Sequence, residues 1–282
     1  MRLVTFNHQG TPSLGLVRHN NLVPAPGRSM LEVIARGQSA LAELNALEQP
    51  LIPLNTETLL APLPELRRNI FCLGLNYADH AQETAQVRGR EAKPPLHPIF
   101  FTKATHTVNG PYATIPFDAG VSTQIDWEAE LGVVIGRRGK NISAAEALNY
   151  VFGYTIINDI TARDLQNAHG QFFKGKSLDG ACPMGPWIVT ADEIDDPHNL
   201  KLSCRVNGET KQAGHTGDMI FKIPAIIEIL SRGLTLEAGD VIATGTPSGV
   251  GFARTPPEFL KPGDVVECEI EGIGLIKNRV SS

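Results

Sequence analysis

Residues 124–136 read QIDWEAELGVVIG. The apolar positions Trp127, Ala129, Leu131 and Val133 alternate with the others, as on a strand with one face on a core. Glu128 and Glu130 then share the opposite face. Two carboxylates side by side repel unless solvent or a cation separates them. Taken alone, the pair fits a solvated strand face as readily as a metal site.

The next apolar run is YVFGYTIINDITARD, residues 150–164. It reads as a buried strand that ends in Asn158 and Asp159. Thr161 is the expected N-cap of a following helix, with Asp164 as its capping-box partner. That assignment leaves Asp159 without a capping duty. Three carboxylates with no nearby Cys or His suit a hard cation, Mg²⁺ or Mn²⁺, better than zinc.

Working outward, NIFCLGLN, HPIFFTK, PWIVTA, LKLSCRVNG, DVIATG and DVVECEIEG are short, apolar and rich in β-branched residues. Helical spacing is expected at roughly 77–86, 143–150, 161–168 and 219–232. The last of these carries a proline near its first turn, where a missing N–H costs least. A doubly wound sheet needs a helix after nearly every strand, so this pattern predicts a β-rich α+β fold instead. Residues 1–65 differ: two short strands (LVTF, LGLVR), two helical stretches (MLEVIARG, SALAELNALE) and a proline-rich connector predict a small N-terminal α/β domain. Residues 66–282 form the expected main domain.

Composition bounds the function. The chain has 282 residues, 42% hydrophobic, with a net charge of -5 and no basic stripe, which argues against nucleic acid as a partner. No apolar run reaches the roughly 20 residues of a membrane helix. The N-terminal stretch MRLVTFNHQG lacks the layout of a signal peptide, so cytoplasmic residence is expected. The four cysteines are dispersed; Cys72, Cys204 and Cys268 lie in strand-like runs and read as small core residues.

In LNYADHAQETAQ (75–86), His80 and Glu83 fall on one face of a short helix with Asn76 as its expected cap. A carboxylate beside an imidazole can orient it for proton transfer, although surface His–Glu pairs are also common. Gly170–Ser177, GQFFKGKS, matches the phosphate-loop pattern G-x-x-x-x-G-K-[ST]. It follows a helix rather than a strand and precedes LDGACPMGP, so the match is read as chance. Lys176 remains a cation available to an anionic substrate. GTPSGVG (245–251) would let backbone amides and Thr246 approach a ligand, or would simply turn between strands.

In order along residues 70–280, the stretches GLNYADHAQE, PIFFTKATHTVNG, DWEAELGVVIG, GYTIINDITARDLQ, GKSLDG and TLEAGDVIATGTPSGVG resemble the fumarylacetoacetate hydrolase (FAH) family. The resemblance implies a mixed β-roll catalytic domain, usually in a homodimer, with Mg²⁺ or Mn²⁺ on Glu128, Glu130 and Asp159. It also implies His80 and Glu83 as a catalytic dyad on a lid segment at about 76–95, and Lys176 as a further catalytic group. Gln166, Thr246 and Lys103 are implied to contact substrate. One departure is the loop after the FFTK strand, which reads Ala104, Thr105, His106 where family members often carry paired serines. The implied reaction is hydrolysis of a C–C bond in an acylpyruvate-like 2-oxo acid through a stabilised enolate. Decarboxylation of oxaloacetate and isomerisation of an unsaturated 2-oxo diacid share that enolate and stand as alternatives. A non-catalytic metal-binding protein is the alternative from another class.

Overall fold

The computed structural model describes residues 1–281 apart from 88, 90 and 92. In chain order its strands are β1 (Arg2–His8), β2 (Thr11–Arg18), β3 (Asn21–Pro24), β4 (Ile52–Pro53), β5 (Leu59–Leu60), β6 (Ile70–Gly74), β7 (Ile99–Lys103), β8 (Val108–Asn109), β9 (Ile125–Asp126), β10 (Ala129–Ile135), β11 (Val151–Asn158), β12 (Thr161–Ala162), β13 (Cys182–Thr190), β14 (Lys201–Val206), β15 (Glu209–His215), β16 (Val241–Ala243), β17 (Val265–Ile270) and β18 (Gly274–Arg279). The α-helices are α1 (Met30–Arg36), α2 (Gln38–Asn45), α3 (Ala78–Val87), α4 (Arg163–Ala168), α5 (Phe173–Lys176) and α6 (Ile223–Ser231). Strands outnumber helices, as the spacing predicts.

Among the described residues, a twelve-stranded mixed sheet runs in the order β4-β3-β2-β1-β13-β11-β10-β16-β6-β7, with β5 and β8 paired at its flank. A four-stranded antiparallel sheet, β15-β14-β17-β18, packs beside it. The alternation along β10 serves both layers. Leu131, Val133 and Ile135 join one core with Cys204, Cys268 and α6. Val134 faces the other way, into a second core with α1 and α2. All four cysteines are buried and free. The N-terminal strands extend the large sheet directly, because β1 pairs with β13 at Arg2↔Val189 and Leu3↔Ile188. Residues 1–65 therefore share hydrogen bonds and a core with the strands that follow.

Several expected boundaries shift for local reasons. The helix expected at 161–168 begins at Arg163, because Thr161 and Ala162 pair with Asp126 and Ile125. Thr161 is not its cap. The hydroxyl donates to Asp159 O, and the cap position, Ala162, offers no side chain. The segment 143–150 holds only a 3₁₀ turn at Ala147–Tyr150, and the helix expected at 219–232 starts at Ile223, with its proline in the first turn. β3, β15 and β18 escape the sequence reading. β15, ETKQAGH, is a polar edge strand without an apolar face long enough to show alternation. No helix among the described residues is long and apolar enough to cross a membrane.

At Gly153 β11 lies tightly against β13, and a Cβ there would stand 2.2 Å from the Val189 carbonyl oxygen. Gly153→Ala is expected to part these strands at a cost of about 1–3 kcal/mol, lowering the melting temperature by roughly 2–12 °C. A scanning-calorimetry shift smaller than about 1 °C would show that the strands accommodate the methyl group.

Candidate metal and active site

The pairing of β10 with β11 sets Ala129 opposite Asn158, and the ladder runs one step further through Asp159 N donating to Glu128 O at 2.8 Å. Glu128 and Asp159 are thus cross-strand neighbours on one face, with Glu130 two residues along. Each carboxylate offers an oxygen within 4.8 Å of those of the other two. Their exposures are 5%, 1% and 0% for Glu128, Glu130 and Asp159, which rules out a solvated strand face.

Three cations hold this cluster. Lys176 Nζ donates to Glu128 Oε2 at 2.6 Å and to Asp159 Oδ2 at 2.7 Å. Lys103 Nζ donates to Asp159 Oδ1 at 2.7 Å and Ile160 O at 3.0 Å. Arg163 reaches Glu128 Oε1 at 2.6 Å through Nη2 and Asp126 Oδ2 at 2.8 Å through Nε. Asp126 also accepts from the backbone amides of Trp127, Gly251 and Phe252, tying the cluster to the loop after β16.

Lys176 arrives by close packing. A Cβ at Gly175 would lie 2.5 Å from Gln166 N and 2.6 Å from Ala162 O, so only glycine lets α5 lie against α4. The glycine–lysine pair of GQFFKGKS therefore serves a buried ion pair, and the phosphate-loop reading is excluded by that burial. Glu130 differs from its neighbours: its one side-chain hydrogen bond among the described residues comes from Gly245 N, at 2.7 Å to Oε2.

The electrostatics follow from these partners. For Glu128, burial disfavours the charge, but Lys176 and Arg163 outweigh it and hold the carboxyl down to about 2. Burial, with Asp159 and Glu128 beside it, pushes the Glu130 carboxyl well above the usual range. Burial alone would lower Lys176, yet Asp159 and Glu128 keep its ammonium firmly charged. With Asp126 included, four carboxyl groups meet three cations, and a proton on Glu130 makes the metal-free cluster neutral. A divalent cation replacing that proton leaves one positive charge, the complement of a single substrate carboxylate. The all-oxygen donor set fits a hard divalent cation.

A cavity of about 200 Å³ opens over Glu128 and Lys176; His80, Thr84, Gln166 and Thr246 line it. His80 Nδ1 lies 2.8 Å from Glu83 Oε1. With the ring proton assigned to Nδ1 by this carboxylate, Nε2 carries the free lone pair. Glu83 Oε2 accepts from Gly249 N at 2.9 Å, which docks α3 on the loop after β16. The expected lid segment, about 76–95, includes residues 88, 90 and 92, which lie outside the described residues. Asn76 does not cap α3. Its side chain donates to Thr244 O and Phe221 O and accepts from Phe221 N.

Of the residues expected to meet substrate, Gln166 and Thr246 line the cavity. Gln166 Oε1 accepts from Arg163 Nη1 at 3.1 Å. The Thr246 hydroxyl already donates to Ala129 O and accepts from Gln212 Nε2. Lys103 is fully buried against Asp159 and Ile160 O and is not among the residues that line the cavity. The sequence reading missed Asp126 and Arg163. Asp126 precedes Glu128 by two residues, so the alternation that paired the glutamates already placed it on their face. Nothing local marks Arg163 as part of the cluster, because its carboxylate partners lie more than thirty residues away.

Residues 69–281 match the family described as fumarylacetoacetate (FAA) hydrolase, C-terminal. The chain is 49% identical to the oxaloacetate tautomerase YisK of Bacillus subtilis, over 90% of this chain and 87% of that one. The solved fumarylacetoacetate hydrolase of Exiguobacterium antarcticum is 42% identical, with a TM-score of 0.86, covering 100% of this chain and 99% of that chain. The maleylpyruvate hydrolase of Sphingobium sp. SYK-6, solved with manganese(II) and pyruvate, is 28% identical, with a TM-score of 0.80 and the same coverage.

The raised Glu130 carboxyl makes metal uptake depend on pH. Below its raised pKa the metal-free site holds a proton that the cation must displace, so affinity falls as pH drops. Calorimetric titration with Mn²⁺ is expected to weaken by up to about tenfold per pH unit in that range, with proton release. Glu130→Gln is expected to remove the dependence and most of the affinity. A Mn²⁺ affinity that does not change with pH would contradict a raised Glu130 carboxyl.

Proposed function

The chain belongs to the fumarylacetoacetate hydrolase family of enzymes, and we propose that it is a Mg²⁺- or Mn²⁺-dependent oxaloacetate tautomerase. The observation that carries this reading is the His80–Glu83 pair, whose imidazole lies on the wall of the small cavity that also reaches the carboxylate cluster. The similarity to YisK supplies the substrate. At about 200 Å³ the cavity is smaller than the roughly 300–1,000 Å³ clefts that take drug-sized ligands.

Glu128, Glu130 and Asp159 would hold the cation. When bound, it supplies Lewis-acid polarisation of the substrate's 2-oxo group, which acidifies the adjacent carbon. His80 Nε2 takes the C3 proton, and the Glu83 carboxylate stabilises the imidazolium. His80 then returns the proton to the 2-oxo oxygen, giving the enol. No water is consumed and no carbon–carbon bond breaks. Lys176 holds the Glu128 carboxyl low and adds positive charge beside the developing enolate.

Hydrolysis of an acylpyruvate-type substrate is the second reading, favoured by the similarity to maleylpyruvate hydrolase. It uses the same residues, with His80 taking its proton from water.

Both readings meet in one assay. Oxaloacetate keto–enol exchange is followed by enol absorbance while CO₂ and carboxylic acid release are measured in parallel. Metal-dependent exchange without change of mass is expected, with His80→Ala losing about 10²–10⁴-fold while metal-induced thermal stabilisation is retained. Acid release from an acylpyruvate exceeding the exchange rate would favour hydrolysis, and full activity of His80→Ala would remove the dyad from either mechanism.

A further inference from the structure

Five buried side-chain polar atoms have no hydrogen-bond partner among the described residues: Arg28 Nη1, Tyr77 Oη, Thr84 Oγ1, Asn158 Nδ2 and Asn278 Oδ1. Of these residues, Thr84 is the one that lines the cavity over the carboxylate cluster. It is 4% exposed. Within a helix a threonine hydroxyl can bond back to the carbonyl one turn earlier, which here belongs to His80. That bond is not formed. A buried donor without an acceptor is unfavourable, and an acceptor brought by a ligand removes the penalty.

The position of Thr84 indicates which ligand atom that is. His80, Thr84 and Val87 occupy one stripe of α3, and all three line the cavity. His80 is buried at the inner end, while Val87, 52% exposed, marks the mouth. Thr84 lies between them, about 6 Å along the helix axis from His80. For a 2-oxo acid with its head at the carboxylate cluster, this stripe offers a course for the far end. Arg163, the guanidinium of the cavity, donates to Asp126, Gln166 and Glu128 through its three nitrogens, whereas the Thr84 hydroxyl is uncommitted.

We propose that Thr84 is a specificity-determining residue whose hydroxyl donates to the distal carboxylate of a 2-oxo diacid. The proposal rests on the functional reading above for its choice of a four-carbon diacid. It distinguishes diacids from 2-oxo acids with an apolar tail, because only the former bring an anionic acceptor to this point.

The test is calorimetric titration of the Mn²⁺-loaded protein with oxaloacetate and with oxalate, which lacks the distal group, alongside the exchange assay. Thr84→Val is expected to weaken oxaloacetate binding by about tenfold or more and to leave oxalate within about twofold. The loss in turnover falls on KM rather than kcat, and Thr84→Ser binds like the parent. The proposal is overturned if Thr84→Val binds oxaloacetate normally, loses both ligands equally, is matched by Thr84→Ser, or if the parent does not bind oxaloacetate. Thr84-dependent binding without acceleration of keto–enol exchange removes the tautomerase reading and leaves the role of Thr84 standing.

Discussion

Lys176 is shared between Glu128 and Asp159, and much of the structure exists to make that sharing possible. Carboxylates this deeply buried cannot ionise together without cations in contact. Lys176 and Arg163 come from segments following β11, and Lys103 comes from β7 on the far edge of the sheet. Their convergence requires a sheet that brings β7, β10 and β11 into one region, and a glycine that lets α5 lie against α4. Glu130 stands outside the ammonium network and takes up the remaining imbalance through its proton.

The strands of this fold were legible wherever apolar residues alternate or run together. β10 and β11 carry their own signal, and so do β6, β7, β14, β16 and β17. Polar edge strands were not legible, since β15 has little apolar surface to alternate. Helix starts were misjudged where a tertiary contact competed with a local one: Thr161 suits a cap, but β9 engages its backbone first. Asn76, another expected cap, is drawn away by carbonyls from residues more than a hundred positions distant.

The site was legible in part. Glu128, Glu130 and Asp159 could be grouped from strand alternation and from the apparent idleness of Asp159, and His80 with Glu83 from helical spacing. Whether the glutamates faced water or a cluster depended on burial, which sequence periodicity does not report. The resemblance implied a substrate contact for Lys103, and nothing in the sequence signals that its ammonium lies buried against Asp159. Thr84 carried no signal at all, because its meaning lies in a bond that is missing. The family resemblance narrowed the chemistry to an enolate and left the bond to be broken, or not broken, to the neighbours of that enolate.

The pairing of β1 with β13 bears on how the chain is made. Arg2 finds its partner at Val189, so the first strand is synthesised long before its neighbour. At about 5–20 residues per second, that interval is on the order of ten seconds or more. In that time β1 can pair with β2 and β5, and α1 and α2 can cover part of the apolar face. On its other edge, where β5 covers Thr5 and Phe6, the Arg2–Leu3 end has no neighbour until β13 emerges, and an open strand edge pairs readily with other chains. The opening sixty residues thus form a nascent unit that waits for the middle of the protein, and the arrival of β13 joins it to the sheet that carries Asp159.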